Sequence, residues 1–298
     1  MEQMPAVLDP FSASREDVDG YSTALDPRPI RKPRLCKRLT HLSKIMDLIQ
    51  RTESRSCSEL YDKCTFSDWQ EIVLFGPGYH ELVKSGLELY IKKQLDTQRA
   101  GMWNFAISNA LKTSIDLEQF LEFKRILVSN DIHPHEFAQN VREILNKTHF
   151  KKNSIRLIGA PNSCKTLLAN MICAPFICCH LNNHGSENEF FASNMLNKAI
   201  IHCEELYLTT ATAEDFKSFL GGQDIDVAKK FQEKQLLLRT PCIITSNHNT
   251  FGRGHLPAVD ENALNLRCFT YHFSNAVMPK VTLDWRQFYL FLNDHVPT

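Results

Sequence analysis

The sequence predicts an α/β fold preceded by a helical region, and three observations carry that prediction. A short apolar strand, Ser154 to Ile158, leads into a loop that opens at Gly159 and then into a helix-like run from Thr166 to Ile172. Further strand-like runs recur downstream, from Lys198 to Glu205, Arg239 to Asn247 and Leu264 to Phe273. Upstream, residues 44–127 place apolar side chains at three- and four-residue spacing, the period of helices with one buried face.

Taken in order, residues 1–43 carry Pro5, Pro10, Pro27, Pro29 and Pro33 among scattered Ser and Asp, and are expected to form an irregular arm. Arg28, Arg31, Lys32, Arg34, Lys37, Arg38 and Lys44 make its end basic, with no acid between them. Such a run serves nuclear import or phosphate binding, or is a solvated linker. Helical segments follow at Leu42–Gln50, Tyr79–Leu95 and Met102–Leu111, with Gly76-Pro77-Gly78 as a breaker. Another helix opens near Pro134, with Asp131 or His133 as candidate cap, and runs through Phe137, Val141, Ile144 and Leu145. A basic turn, Lys147 to Lys152, precedes the first strand.

Composition sets bounds on function. In 298 residues, 43% are hydrophobic and 23% charged, enough for a sizeable core. Lys plus Arg and Asp plus Glu both number 34, so a basic coat that wraps nucleic acid is excluded and a local basic patch is not. No apolar run reaches the roughly 18 residues of a membrane span, and the first residues lack a secretory pattern. The 10 cysteines include no Cys-x-x-Cys pair. They read as small apolar groups in a reducing compartment, not as a disulfide framework.

The loop Gly159-Ala160-Pro161-Asn162-Ser163-Cys164-Lys165-Thr166 lies between a strand and a helix, the setting of a phosphate-binding P-loop. Its backbone N–H groups and the helix N-terminus would hold the phosphates of ATP, with Lys165 neutralising charge and Thr166 offering its hydroxyl to Mg²⁺. Cys164 stands where this loop normally has glycine. A residue with a Cβ adopts positive φ less readily, so weakened nucleotide binding is an open alternative. The strand ending in Glu204 and Glu205 supplies carboxylates for Mg²⁺ and for the attacking water. Asn247, at another strand end, can orient that water or sense the γ-phosphate. Arg267, inside an apolar run, is either an arginine finger or a surface arginine with a buried stem. After Gly221-Gly222, a hairpin is expected whose tip carries Lys229, Lys230, Phe231 and Lys234. Cations flanking an aromatic suit single-stranded nucleic acid, though from the residues alone a solvated charged hairpin is the preferred reading.

As a set, GAPNSCKT, HCEE, FLGGQDIDVAKKF, RTPCIITSN and LRCFTYHF, in this order, resemble the superfamily 3 helicases of small DNA viruses. The set is most similar to the large non-structural replication protein of parvoviruses, particularly of its densovirus and bidnavirus branch. The resemblance spans roughly 132–289. It implies an AAA+-like P-loop ATPase domain over 128–298, with 44–127 as a helical N-terminal or oligomerisation region and 1–43 as the basic arm. It implies a homo-oligomeric ring, usually a hexamer, that couples ATP hydrolysis to 3′-to-5′ unwinding of viral DNA in the host nucleus. By that likeness Gly159 to Thr166 bind ATP, Thr166 and Glu204 hold Mg²⁺, and Glu205 joins Glu204 in activating water. Asn247 is then the sensor, Arg267 the finger acting on a neighbouring subunit, and the hairpin tip the contact to single-stranded DNA. Gln232 stands where a further basic residue is expected.

Relatives of this type begin with a nicking domain that needs a His-x-His pair on a strand. His133-Pro134-His135 sits instead at an expected helix start, so no nickase is predicted in this chain. Cys178, Cys179, His180 and His184 have ligand types suited to zinc, but lie where a core strand is expected, and the strand is the preferred reading. The alternative to a working motor is a nucleotide-binding assembly module with weakened catalysis.

Overall fold

The computed structural model describes residues 37–182, 191–229 and 232–296. Its first elements are helices α1 (Lys37–Thr52), α2 (Cys57–Lys63), α3 (Phe66–Val73) and α4 (Tyr79–Ala100). Local chemistry sets their starts. Ser56 accepts from the Glu59 N–H to cap α2, and Thr65 and Asp68 form a reciprocal capping box on α3. The Thr65 hydrogen bond, with Arg51 beside it, holds the Asp68 carboxyl below its ordinary range. α1 begins at Lys37, so the irregular arm expected over 1–43 is helical from Lys37 onward; 1–36 lie outside the described residues.

Next come α5 (Met102–Ala110), α6 (Leu117–Val128) and α7 (Pro134–Asn146). Asp116 caps α6 by accepting from the N–H groups of Glu118 and Gln119. Pro134 takes the first position of α7; His133 occupies the cap position, but its ring makes no capping bond, and Asp131 stands outside at φ 56°. Strand and helix then alternate: β1 (Ser154–Gly159), α8 (Lys165–Cys173), β2 (Cys178–Asn182), β3 (Ile200–Glu204) and α9 (Thr210–Leu220). The hairpin β4 (Ile225–Lys229) and β5 (Gln232–Leu237) precedes β6 (Cys242–Ser246), α10 (Ala258–Asn265), β7 (Cys268–Phe273) and α11 (Trp285–Asp294).

The five-stranded sheet runs β2-β3-β6-β1-β7, with every pairing parallel. Both faces are covered, which is why its strands read as nearly continuous apolar runs. Alternation along β1 sends Ile155 and Leu157 into one core with α5, α6, α7, α8 and α11. On the other face Ile201, Cys203, Cys242 and Ile244 pack against Phe216 and Phe219 of α9 and Val227 and Leu237 of the hairpin.

The apolar clusters part inside α4. Ile45, Ile49, Leu60, Ile72, Val83 and Leu87 form a small cluster of α1–α4. A Cβ on Gly86 would lie 3.0 Å from Ile45 and Ile49, so glycine there lets α4 approach α1 closely. Leu95, Trp103, Phe123 and Ile126 belong to the main core. Phe123 meets Phe288 edge-to-face with ring centroids 5.1 Å apart, and Gln287 accepts from the Asp116 N–H at 2.9 Å. Helical periodicity shows that a face is buried, not which core buries it.

Candidate functional site

Gly159 ends β1 at φ 131°, and a Cβ there would meet the Phe273 carbonyl oxygen at 2.2 Å. The next N–H, of Ala160, donates to that same oxygen at 2.8 Å. The loop therefore leaves the sheet pinned against β7, and only glycine has both the freedom and the room. Asn162 and Cys164 also take left-handed φ, 58° and 67°. Cys164 accordingly adopts the conformation that glycine would favour. Its thiol donates to the Val277 carbonyl at 2.8 Å, and the Val277 N–H donates to Asn162 O at 2.9 Å. The two bonds tie the loop to the segment after β7. Burial raises the Cys164 thiol above its ordinary range, offset by Arg125 and reinforced by Glu122.

Lys165 is 6% exposed. Its ammonium donates to Gly159 O at 3.0 Å, to Ser163 Oγ at 3.1 Å and to Ala160 O. Burial lowers its affinity for the proton, and Glu205 partly restores it. Thr166 is exposed on the first turn of α8.

Glu204 and Glu205 are held differently. Glu205 has φ 50°, its N–H donates to Thr245 O at 2.8 Å, and its carboxylate accepts from Ser246 Oγ at 3.1 Å and the Asn247 N–H at 3.0 Å. Glu204 is exposed, and its carboxylate makes no hydrogen bond or ion pair among the described residues. Both line a groove of about 310 Å³ together with Pro161 to Leu167, Thr245 and Asn247. The structure thus gathers Lys165, Thr166, Glu204, Glu205 and Asn247 at the carboxyl ends of the parallel strands, where sheets of this class place ligands.

Arg267 is not in this groove. It precedes β7 at the amino ends of the parallel strands, where Cys268 pairs with Ser154, and its guanidinium donates to Ala263 O beside Gly221. Lys229 closes β4, Lys234 is exposed on β5, and Lys230 and Phe231 lie outside the described residues. Cys178, Cys179 and His180 lie on β2, and His184 lies outside the described residues. Among the described residues no three His, Cys, Asp or Glu side chains cluster to hold a metal.

Sequence reasoning missed Ser246 and His202. Ser246 follows Thr245 on β6 and steadies Glu205. His202 sits within the strand that ends at Glu204, 2% exposed, with Nε2 3.2 Å from Thr245 Oγ1 and Nδ1 3.3 Å from His180 Nδ1. Burial, helped by His180, pulls its pKa from 6.5 to about 4. Between those values the unfolded chain binds a proton that the folded chain refuses. Stability is then full above about pH 6.5 and falls by roughly 3 kcal/mol as pH drops towards 4. Urea melts across that range should show the loss, and His202→Gln should flatten it.

The family model described as parvovirus non-structural protein NS1 matches residues 72–280. The chain is 29% identical over 136 residues to the initiator protein NS1 of Bovine parvovirus 1, covering 46% of this chain and 16% of that protein. It is 32% identical over 127 residues to protein Rep52 of Adeno-associated virus 2 (isolate Srivastava/1982), covering 42% of this chain and 31% of that protein. The chain thus matches less than a third of the length of either relative. A structure of JCV helicase with a bound thiazolopyridine compound shares the fold, with TM-score 0.53 and 14% identity over 78% of this chain and 77% of that one.

Proposed function

The chain belongs to the parvovirus non-structural protein NS1 family, and on that premise we propose that it is an ATP-driven DNA helicase of viral replication. It works as a homo-oligomeric ring, a hexamer, moving 3′-to-5′ on single-stranded DNA in the host nucleus. The observation that carries this reading is the single groove shared by Lys165, Thr166, Glu204, Glu205 and Asn247.

The loop amides and the N-terminus of α8 face the phosphates. Lys165 moves from the loop carbonyls onto the β- and γ-phosphates, exchanging neutral acceptors for charged ones. Mg²⁺, when bound, screens the phosphate charge. The residues that would hold it are Thr166 and Glu204, and they fit: both are exposed at the groove, and the Glu204 carboxylate is uncommitted. Glu205, fixed by Ser246 and Asn247, orients the attacking water and takes up its proton. Asn247, bonded through its backbone to Glu205, couples that carboxylate to the γ-phosphate. Arg267, far from its own groove, reaches a neighbouring subunit's nucleotide, and Lys229, Lys230, Phe231 and Lys234 contact DNA.

Cys164→Gly is expected to leave ATP hydrolysis within about fivefold, the equivalent of 1 kcal/mol. The native loop already has the left-handed conformation, and its thiol is engaged by Val277. A large rescue by glycine would instead favour the assembly module. The whole reading is tested by strand displacement with ATP on duplexes carrying a 3′ or a 5′ single-stranded tail. Unwinding of the 3′-tailed duplex, lost in Glu204→Gln, is the expected result; hydrolysis without unwinding of either substrate would overturn it.

A further inference from the structure

A second groove, of about 730 Å³, opens between β1, β7 and α10. Its floor is Arg156 of β1, and Lys152, Asn249, Asn262, Asn265 and His272 stand around it. It shares no lining residue with the groove of the P-loop, and it lies on the face of β1 away from α8.

Arg156 is 1% exposed. Its Nη1 donates to Asn265 Oδ1 at 2.8 Å and its Nη2 to the His248 carbonyl at 3.2 Å, both neutral acceptors. Its Nε is buried and finds no acceptor among the described residues. The guanidinium lies 4.0 Å over the Phe251 ring. The nearby carboxylates are committed elsewhere: Glu261 accepts from the Phe251 and Gly252 N–H groups, and Asp260 pairs with Lys217 at 2.7 Å. Among the described residues no acidic side chain lines the groove. The Glu261 charge favours the guanidinium but forms no ion pair with it among the described residues. A buried cation without a direct counter-ion is costly, and a fold retains one where it meets an anion.

We infer that this groove is a phosphate-binding site, floored by the Arg156 guanidinium and flanked by Lys152 and the amides of Asn249, Asn262 and Asn265. Arginine's fork matches phosphate oxygens, and the amides add neutral donors around the same centre. The phosphate comes either from a free nucleotide or from the diester backbone of a DNA strand. The inference rests on the residues of this groove and stands independently of the ATPase reading.

The test uses the full chain in a Lys165→Ala background, which removes the P-loop lysine as a phosphate contact. Pyrophosphate is titrated by calorimetry, and a fluorescent oligothymidylate by anisotropy. Adding Arg156→Met should weaken binding of at least one probe by about tenfold or more, and Lys152→Gln by several-fold. The melting temperature of Arg156→Met should equal or exceed that of its parent, since an apolar chain replaces a buried charge that has no ion pair. Dependence on Arg156 for pyrophosphate identifies the free phosphate, and for the oligonucleotide alone the backbone. Equal affinity of parent and Arg156→Met for both probes overturns the proposal, as does a parent that binds neither. Should Arg156→Met not fold, Lys152→Gln with unaltered binding overturns it.

Discussion

Lys165→Ala should lower ATP turnover by roughly 10²–10³-fold while leaving the fold intact, on the scale seen when one preorganised donor to a developing charge is removed. The ammonium is buried at the mouth of α8 among three loop oxygens, within the groove that holds both carboxylates. Among the described residues no other cation lines that groove. Removing the ammonium therefore strips the site of its positive side chain while the helix packing of Leu168, Ala169 and Ile172 is untouched. The Gly159 and Ala160 carbonyls lose a partner but border an open groove, where water can replace it. Steady-state hydrolysis together with a thermal melt separates the two effects. A variant that melts like the parent and hydrolyses at the parental rate would remove Lys165 from the mechanism.

Gly159→Ala should be the more damaging change to the fold, costing more than about 3 kcal/mol and lowering the melting temperature by roughly 10 °C. The added methyl would sit 2.2 Å from the Phe273 carbonyl oxygen and 2.7 Å from its carbon, both backbone atoms of a strand held in register with β1. Left-handed φ at 131° is a second penalty that an alanine cannot avoid. Relief requires β7 to move from β1, which would also disturb the Ala160 N–H bond to the same oxygen. Thermal melts of the variant and the parent check this. A difference within a few degrees would show that the loop start can shift freely.

The strands around the site were legible because they are buried on both faces and end in polar residues. Glu204 and Asn247 could be placed at strand ends from the runs that precede them, and Lys165 from its loop. What sequence could not reveal depended on distant partners. The demand for glycine at 159 comes from Phe273, and the Cys164 thiol bond from a main-chain carbonyl at Val277, which leaves no side-chain signature. Glu204 and Glu205 are adjacent and chemically alike, yet only Glu205 is fixed, because the end of β6 lies beside it. Arg156 reads as an ordinary strand residue until the register sets it against Thr270 and beneath α10. The periodicity of α5 was clear, but its place in the main core follows from contacts with α11, such as Trp103 against Tyr289, that no local pattern encodes. α1 begins inside the stretch read as an arm, because its first turn, Lys37 to Thr40, is exposed and lacks the apolar period that marks a buried helix.

The most direct measurement is ATP hydrolysis by the purified chain with Mg²⁺, with and without single-stranded DNA, beside Lys165→Ala. A DNA-driven motor requires turnover that rises with single-stranded DNA and disappears in Lys165→Ala. Turnover indistinguishable from Lys165→Ala, in a chain shown to be folded by its thermal transition, would contradict it and leave a nucleotide-binding assembly module.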